Sequence, residues 1–394
     1  NVPALRFPEF SGEWEYKTLG EIGESFIGLT YSPSDVVKEG GTIVFRSSNI
    51  QNGIIDYGDL VRVSKKIKDS IVTREGDLLI CARNGSTRLI GKNALLKKSD
   101  EGQTFGAFMM VFRSDDNRFV HQLLSTKSYS TQVSENLGAR INQITTRNFA
   151  EYTFSMPSTR EEKEKIGAFL ELVNERIETQ SKIIEDLKTL RSALHHQIMR
   201  NGLADGSWEQ KRLSEVLLER TELNSKEYAV HSVSVSKGIV NQIEYLGRSF
   251  AAKDTSKYHV AYPGDIVYTK SPTGEFPYGI IKQSHISIKA AISPLYGVYV
   301  PLSQEIGYII HNHFLSAKNA LNYLHPLIQK GAKNTINITN QRFLQNSIPL
   351  PSNQNAAVLY SKTIKAVSDK IALEVSVLDK LQLQKSHFLQ TMFI

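Results

Sequence analysis

Trp14-Glu15-Tyr16-Lys17-Thr18-Leu19-Gly20-Glu21-Ile22 and Trp208-Glu209-Gln210-Lys211-Arg212-Leu213-Ser214-Glu215-Val216 are two versions of one phrase, 194 residues apart, and they hold the only two tryptophans in the chain. Further words repeat in the same order. Gly76-Asp77-Leu78-Leu79 matches Gly264-Asp265-Ile266-Val267 at an offset of 188. Gln143-Ile144-Thr145 with Phe149 matches Asn337-Ile338-Thr339 with Phe343, and Pro157-Ser158 matches Pro351-Ser352, both at 194. Four ordered words at nearly constant spacing mean an internal duplication, and a repeat must be recognised before any fold is assigned.

Each copy has two parts. The first is rich in short β-branched and aromatic runs, such as Thr42-Ile43-Val44-Phe45, Asp77-Leu78-Leu79-Ile80, Phe108 to Phe112 and Gly297-Val298-Tyr299-Val300, bounded by turn residues. These read as strands of a mixed α+β globule, with helical stretches expected over 119–135 and 305–329. The second part reads as a long helix. Apolar residues recur at Ile166, Leu170, Val173, Ile177, Ile184, Leu187, Leu190, Leu194 and Ile198 in the first copy. Ile364, Val367, Ile371, Leu378, Leu381, Phe388 and Met392 follow the same phase in the second. Alternating steps of three and four are a heptad seam, with polar Gln180 and Glu374 at one equivalent place and a weakening at Gln384 and Lys385.

The expected organisation is a globule over 1–157, a helix over 158–200, a turn-rich linker over 201–207, a second globule over 208–351 and a second helix over 352–394. A helix of about 40 residues extends ~60 Å at ~1.5 Å per residue. A short linker leaves the second helix covering the first only by running back along it. The fold class is therefore α+β, with two tandem mixed α/β globules joined by two long helices in an antiparallel coiled coil with a pseudo-twofold axis. Packing of each helix on its own globule, or with a second chain, is the alternative.

Composition narrows the function. The chain has 394 residues, 47 basic against 40 acidic side chains, a net charge of +7 and one cysteine, Cys81. A lone cysteine excludes an internal disulfide framework and paired-cysteine zinc sites. Asn1 to Phe10 does not read as a signal peptide, and no apolar run approaches the ~18 residues of a membrane span; a cytoplasmic setting is expected. Gly85 to Lys92 misses the phosphate-loop spacing and has Asn93 where Ser or Thr is required. There is no nucleophile elbow. His195-His196 is expected on the solvated faces of a helix, and His311 and His313 lack acidic neighbours at ligand spacing. Glu161-Glu162-Lys163 is expected at an exposed helix start. The chain reads as a binder without catalytic, cofactor or metal residues of its own.

The positive charge admits nucleic acid. Residues 201–351 hold 15 basic against 11 acidic side chains, most of the excess. Three loop classes join donors to turns: Arg46-Ser47-Ser48-Asn49; Arg83-Asn84-Gly85-Ser86-Thr87-Arg88, with its counterpart Lys270-Ser271-Pro272-Thr273-Gly274; and Gly138 to Gln143, containing Arg140 and Asn142, with its counterpart Gly331 to Asn337, containing Lys333 and Asn334. Arg reads guanine and Asn or Gln reads adenine through paired hydrogen bonds in the major groove. Lys and Ser more often hold phosphates. The candidate DNA contacts are Arg46, Ser47, Asn49, Arg83, Asn84, Ser86, Arg88, Arg140, Asn142, Gln143, Lys270, Ser271, Thr273, Lys333, Asn334 and Asn337.

The words Trp14-Glu15 with Leu19 to Ile22, Gly76 to Leu79, Gly138 to Phe149 and Pro157 to Lys165, in a globule–helix–globule–helix order, resemble the specificity subunit of type I restriction–modification systems. The resemblance covers essentially the whole chain. It implies two target-recognition domains that read a split sequence in double-stranded DNA, one half-site each. It further implies two adenine methyltransferase subunits and ATP-driven restriction–translocase subunits as partners, carrying S-adenosylmethionine, ATP and Mg, in a bacterial or archaeal cytoplasm. Asn353-Gln354-Asn355 lacks the acidic pair that opens the first helix. A stand-alone DNA-binding protein dimerising through its helices is the competing reading, and an enzyme with an unrecognised site is a third.

Overall fold

The structure, a computed structural model, describes residues 2–137, 142–248, 251–330 and 336–394. It divides into unit 1, Asn1–Lys182 with Ser376–Ile394, and unit 2, Ile183–Val375. Each long helix contributes to both units.

Unit 1 is built on a four-stranded antiparallel sheet in the order Glu24–Ile27, Met109–Arg113, Leu78–Cys81, Asn93–Leu95. The Leu78–Cys81 strand is an unbroken apolar run because both its faces are covered, as buried strands require. Leu78 and Ile80 pack with Met110, Phe112 and Phe119 on the helical side, while Leu79 and Cys81 pack with Val44, Phe45 and Phe105 of a second sheet. Burial pushes the Cys81 thiol up to about 11, which leaves it an inert core residue. Glu15–Thr18 pairs antiparallel with Thr153–Met156 and ties the first tryptophan phrase to the strand before the long helix.

Unit 2 repeats the sheet as Leu217–Glu219, Gly297–Pro301, Ile266–Tyr268, Ile281–Gln283. Ile266 and Tyr268 face one core, and Val267 faces the other. Trp208–Arg212 pairs with Ser347–Pro351 as the first phrase does in unit 1. The repeated Gly-Asp word has a structural purpose. Gly76 and Gly264 turn with φ of +84° and +90°, conformations that favour glycine. Asp77 then accepts two hydrogen bonds from Arg113 at 2.9 and 3.0 Å, and Asp265 two from Arg220 at 2.7 and 3.0 Å. The arginine differs in origin: Arg113 ends the second strand of its sheet, whereas Arg220 directly follows the first strand of the other.

The long helices run Arg160–Asp205 and Gln354–Thr391. Thr159 and Asn353, again 194 apart, accept from the backbone N–H three residues on and cap them. In unit 1, Phe169 meets Phe388 at 5.0 Å and Phe393 lies against Trp14 and Phe119, so the two helix segments there run in opposite directions. Ile166, Leu170, Ile184, Ile364, Ile371 and Leu381 are buried; Val173, Ile177, Leu187, Val367 and Leu378 are half-buried.

Several local expectations change. The helical stretches 119–135 and 305–329 are each broken, into Asn117–Leu123 with Lys127–Asn136 and Gln304–His313 with Ala317–Leu324. Thr126 and Ser316 accept backbone N–H bonds as new N-caps and restart the helix. The linker over 201–207 is mostly helix, since the first long helix continues to Asp205; Gly202 admits the Trp208 indole, from whose Cδ1 a Cβ would lie 2.1 Å, and Gly206 at φ +78° makes the turn. Leu190 is exposed because it follows Leu187 by three residues rather than four and so falls beside the seam, where half-buried Arg191 takes the place; His195, four residues further on, is buried. His195 Nδ1 meets Tyr360 Oη at 2.6 Å and its Nε2 faces His313 Nδ1 at 3.4 Å. The start of the first long helix is not wholly exposed either. Glu162 is buried, accepting from Arg6 and the Trp14 indole, and buried Lys163 donates to Asp116 at 2.6 Å.

Candidate nucleic-acid interface

In unit 1 the chain after Cys81 leaves the sheet and gathers three of the predicted loops. Ala82 and Arg83 both donate to Phe108 O, and Ile144 N donates to Ala82 O at 2.8 Å. Arg83 pairs with Gln143 in an isolated antiparallel bridge. The guanidinium of Arg83 lies 5.1 Å from the centroid of Phe108, an aromatic ring 59% exposed. Asn84 donates to Ser47 Oγ at 3.0 Å and accepts from Ser86 N, a local turn that presents the exposed Ser86 hydroxyl. Asn142 is exposed and Gln143 half-exposed beside them. Arg83, Asn84, Ser47, Asn142 and Gln143 thus form one donor-rich surface with an apolar ring within it. Guanidinium and amide groups can read base edges, and an exposed ring can meet a thymine methyl or a sugar.

Asn49 and Arg46 do not belong to that surface in the way the sequence suggested. Asn49 is fully buried: its Oδ1 accepts from Arg46 N, and its amide donates to Asp56 O and Asp59 O. Its side chain is spent on closing the 49–59 loop. Arg46 donates to the Asp59 carboxylate at 2.7 Å and buttresses the same loop. Arg88 is exposed but lines a separate cleft. Arg140, Lys333 and Asn334 lie outside the described residues.

In unit 2 the loop after Tyr268 carries Lys270, half-buried near Glu219, and burial holds its ammonium below the usual lysine range. Ser271 and Thr273 are exposed, and two backbone bonds of 3.0 Å between Thr273 and Phe276 close the turn. Exposed Asn337 sits across from Gln329 in a two-stranded ribbon. The side chain of greatest interest that the loop patterns did not find is Phe108. Alternation gave no signal for it, because the strand that it precedes, Met109–Arg113, is buried on both faces.

Residues 11–189 match the family model described as the type I restriction modification DNA specificity domain. The type I restriction enzyme EcoKI specificity subunit of Escherichia coli K12 is 28% identical over 192 residues, which span 46% of this chain and 41% of that relative. The StySPI specificity subunit of Salmonella potsdam is 27% identical over the same shares. The chain therefore matches less than half the length of these relatives. A crystal structure of the S subunit of a type I restriction–modification system from M. genitalium superposes with a TM-score of 0.62 at 15% identity, covering 100% of this chain and 99% of the other, a likeness of fold.

Proposed function

We propose, on the match of residues 11–189 to the model of the type I restriction modification DNA specificity domain, that this protein is the non-catalytic specificity subunit of such a system. Each unit reads one half of a bipartite target in double-stranded DNA. The long helices hold the two readers as an antiparallel coiled coil and recruit two methyltransferase subunits and the restriction–translocase subunits. S-adenosylmethionine, ATP and Mg belong to those partners, in the cytoplasm. Among the described residues no helix is long and apolar enough to cross a membrane.

The observation that carries the reading is the convergence of Arg83, Asn84, Asn142 and Gln143 around exposed Phe108 at the end of a sheet that recurs in unit 2. Sequencing of methylated DNA from cells with and without the gene tests it, using Arg83→Ala with Asn142→Ala in unit 1 and Lys270→Ala with Asn337→Ala in unit 2. Each pair is expected to relax one half-site only, since a bidentate pairing with a base is worth ~1–3 kcal/mol of discrimination. Damage to the same half-site by both pairs, or methylation that does not depend on the gene, refutes the reading.

A further inference from the structure

Unit 1 contains an open cleft of about 1220 Å³ apart from the donor surface, between the Gly91–Asn93 segment, the Lys127–Asn136 helix and both long helices. Arg88, Lys92, Lys127 and Lys385 line it, and none of these side chains has an ion-pair or hydrogen-bond partner among the described residues. The one carboxylate on the lining, Glu178, faces Lys97 at 3.9 Å. Lys385 is half-buried, and burial holds its ammonium below the usual lysine range. His121 beside it is pushed down to about 4 by burial and by Lys385, so it lines the cleft as a neutral imidazole that can still donate. Asn174, also on the lining, donates to Gln122 and keeps a buried Oδ1 without a partner.

The duplication repeats this chemistry. Lys385 and Asn174 correspond, at the 194-residue offset, to Arg191 and Ser368. In unit 2, Arg191 comes within electrostatic reach of Lys282 and His311, as Lys385 does of His121 in unit 1. Ser368 accepts from Tyr308 at 2.9 Å on the same helix as His311. Lys282 stands on Ile281–Gln283, the strand that occupies the place of Asn93–Leu95 in the repeated sheet. It is only 4% exposed, and burial with Arg191 pushes it down to about 8. Neither Arg191 nor Lys282 has a side-chain partner among the described residues. Cations withdrawn from water without counter-charge are costly. At the place of Lys385 the second copy also carries a cation, Arg191, so a positive charge recurs at this position of the long helices.

We propose that the unit 1 cleft is a phosphate-binding site, with Lys92 and Lys385 as its charge centre and Arg88 and Lys127 at its mouth. The ligand is a tetrahedral phosphate group, either of the DNA backbone or free. The DNA source rests on the function proposed above; the site itself does not.

The first test titrates the full chain with inorganic phosphate at constant ionic strength and follows backbone amide resonances. Saturable shifts are expected around Gly91–Asn93, with chloride at least tenfold weaker. Lys92→Gln with Lys385→Gln abolishes these shifts, while Lys385→Arg retains them. Absence of saturable shifts, or shifts indifferent to these variants, overturns the proposal. The second arm measures duplex binding across salt concentrations. A backbone source predicts that Lys92→Gln with Lys385→Gln weakens every duplex alike and lowers the log–log salt slope by about 0.9 for each phosphate that is no longer neutralised. Phosphate binding with an unchanged slope overturns the DNA source and assigns the site to free phosphate. Phosphate binding by a chain that prefers no DNA sequence, alone or with its methyltransferase, supports the site and refutes the function proposed above.

Discussion

Replacing Arg113 with Val removes the cation that holds Asp77, and the structure gives the scale of the loss. The Asp77 side chain is 4% exposed and that of Arg113 15%. Besides its two bonds to the carboxylate, Arg113 donates to Ser70 O at 2.9 Å and Val72 O at 2.6 Å. Without it, Asp77 keeps one charge-assisted bond, from Arg74 N at 2.9 Å. Breaking a buried pair from one side costs ~3–5 kcal/mol; the partial exposure of Arg113 places the expectation near ~3 kcal/mol. The repeat supplies the rescue. Phe26 pairs with Val111 in the sheet, and Arg220 occupies the matching place beside Val298. Arg113 already stacks on the Phe26 ring at 4.8 Å, so the space for a guanidinium exists there. Phe26→Arg with Arg113→Val should therefore rebuild in unit 1 the clamp that unit 2 uses, recovering most of the loss. Urea unfolding of the full chain in a Trp208→Phe background reports unit 1 through Trp14, which is buried there. With a slope of ~2 kcal/mol/M, a loss of ~3 kcal/mol moves the midpoint down by ~1.5 M. A midpoint that Arg113→Val leaves unchanged, or that the double variant lowers further, refutes the idea that an arginine free to change its place serves a fixed carboxylate.

Asn49→Ala should destabilise unit 1 by roughly 2–3 kcal/mol, since it strands buried backbone groups; the same unfolding assay checks this, and a near-neutral result would return Asn49 to the candidate DNA contacts. Gly202→Ala should destabilise unit 2, read through Trp208 in a Trp14→Phe background, although alanine gains ~1 kcal/mol in a helix interior. The clash with the indole outweighs that gain, and net stabilisation would show that the tryptophan is free to move. Stability should also fall in acid. Burial lowers His195 to about 3 and His313 to about 4. Their folded-state values lie below the unfolded value of ~6.5, so the stability they contribute is complete above ~6.5 and is lost as pH falls towards 4. Unfolding midpoints measured from pH 7 to 4.5 should drop by an amount equivalent to a few kcal/mol, and His195→Gln with His313→Gln should flatten the profile; a variant with the wild-type profile contradicts this origin.

The long-range plan of this protein was written in its sequence because it was written twice. Words such as Trp14-Glu15 and Trp208-Glu209, or Gly76-Asp77 and Gly264-Asp265, disclose the duplication without any geometry. A period of 3.5 then discloses helices whose apolar face must be covered. Apolar runs such as Asp77-Leu78-Leu79-Ile80 disclosed strands, and the structure added that Leu78–Cys81 is covered on both faces. The loops of the donor surface were legible as loops, since turn residues and donors are local signals.

What the sequence could not decide was which polar side chains are free to meet a partner. Asn49 and Asn142 are the same residue in similar loops, yet one is buried with three backbone bonds and the other is exposed. Glu162 and His195 looked solvated on a helical wheel, but Arg6 with Trp14, and Tyr360 with His313, come from distant parts of the chain to cover them. Lys385 announced itself only as a weak point in a seam. Periodicity assigns a residue to a face, and repetition assigns it to a copy. Burial and hydrogen bonding are set by segments remote in the chain, so the tertiary structure alone separated the polar groups that hold the fold from those left open to bind.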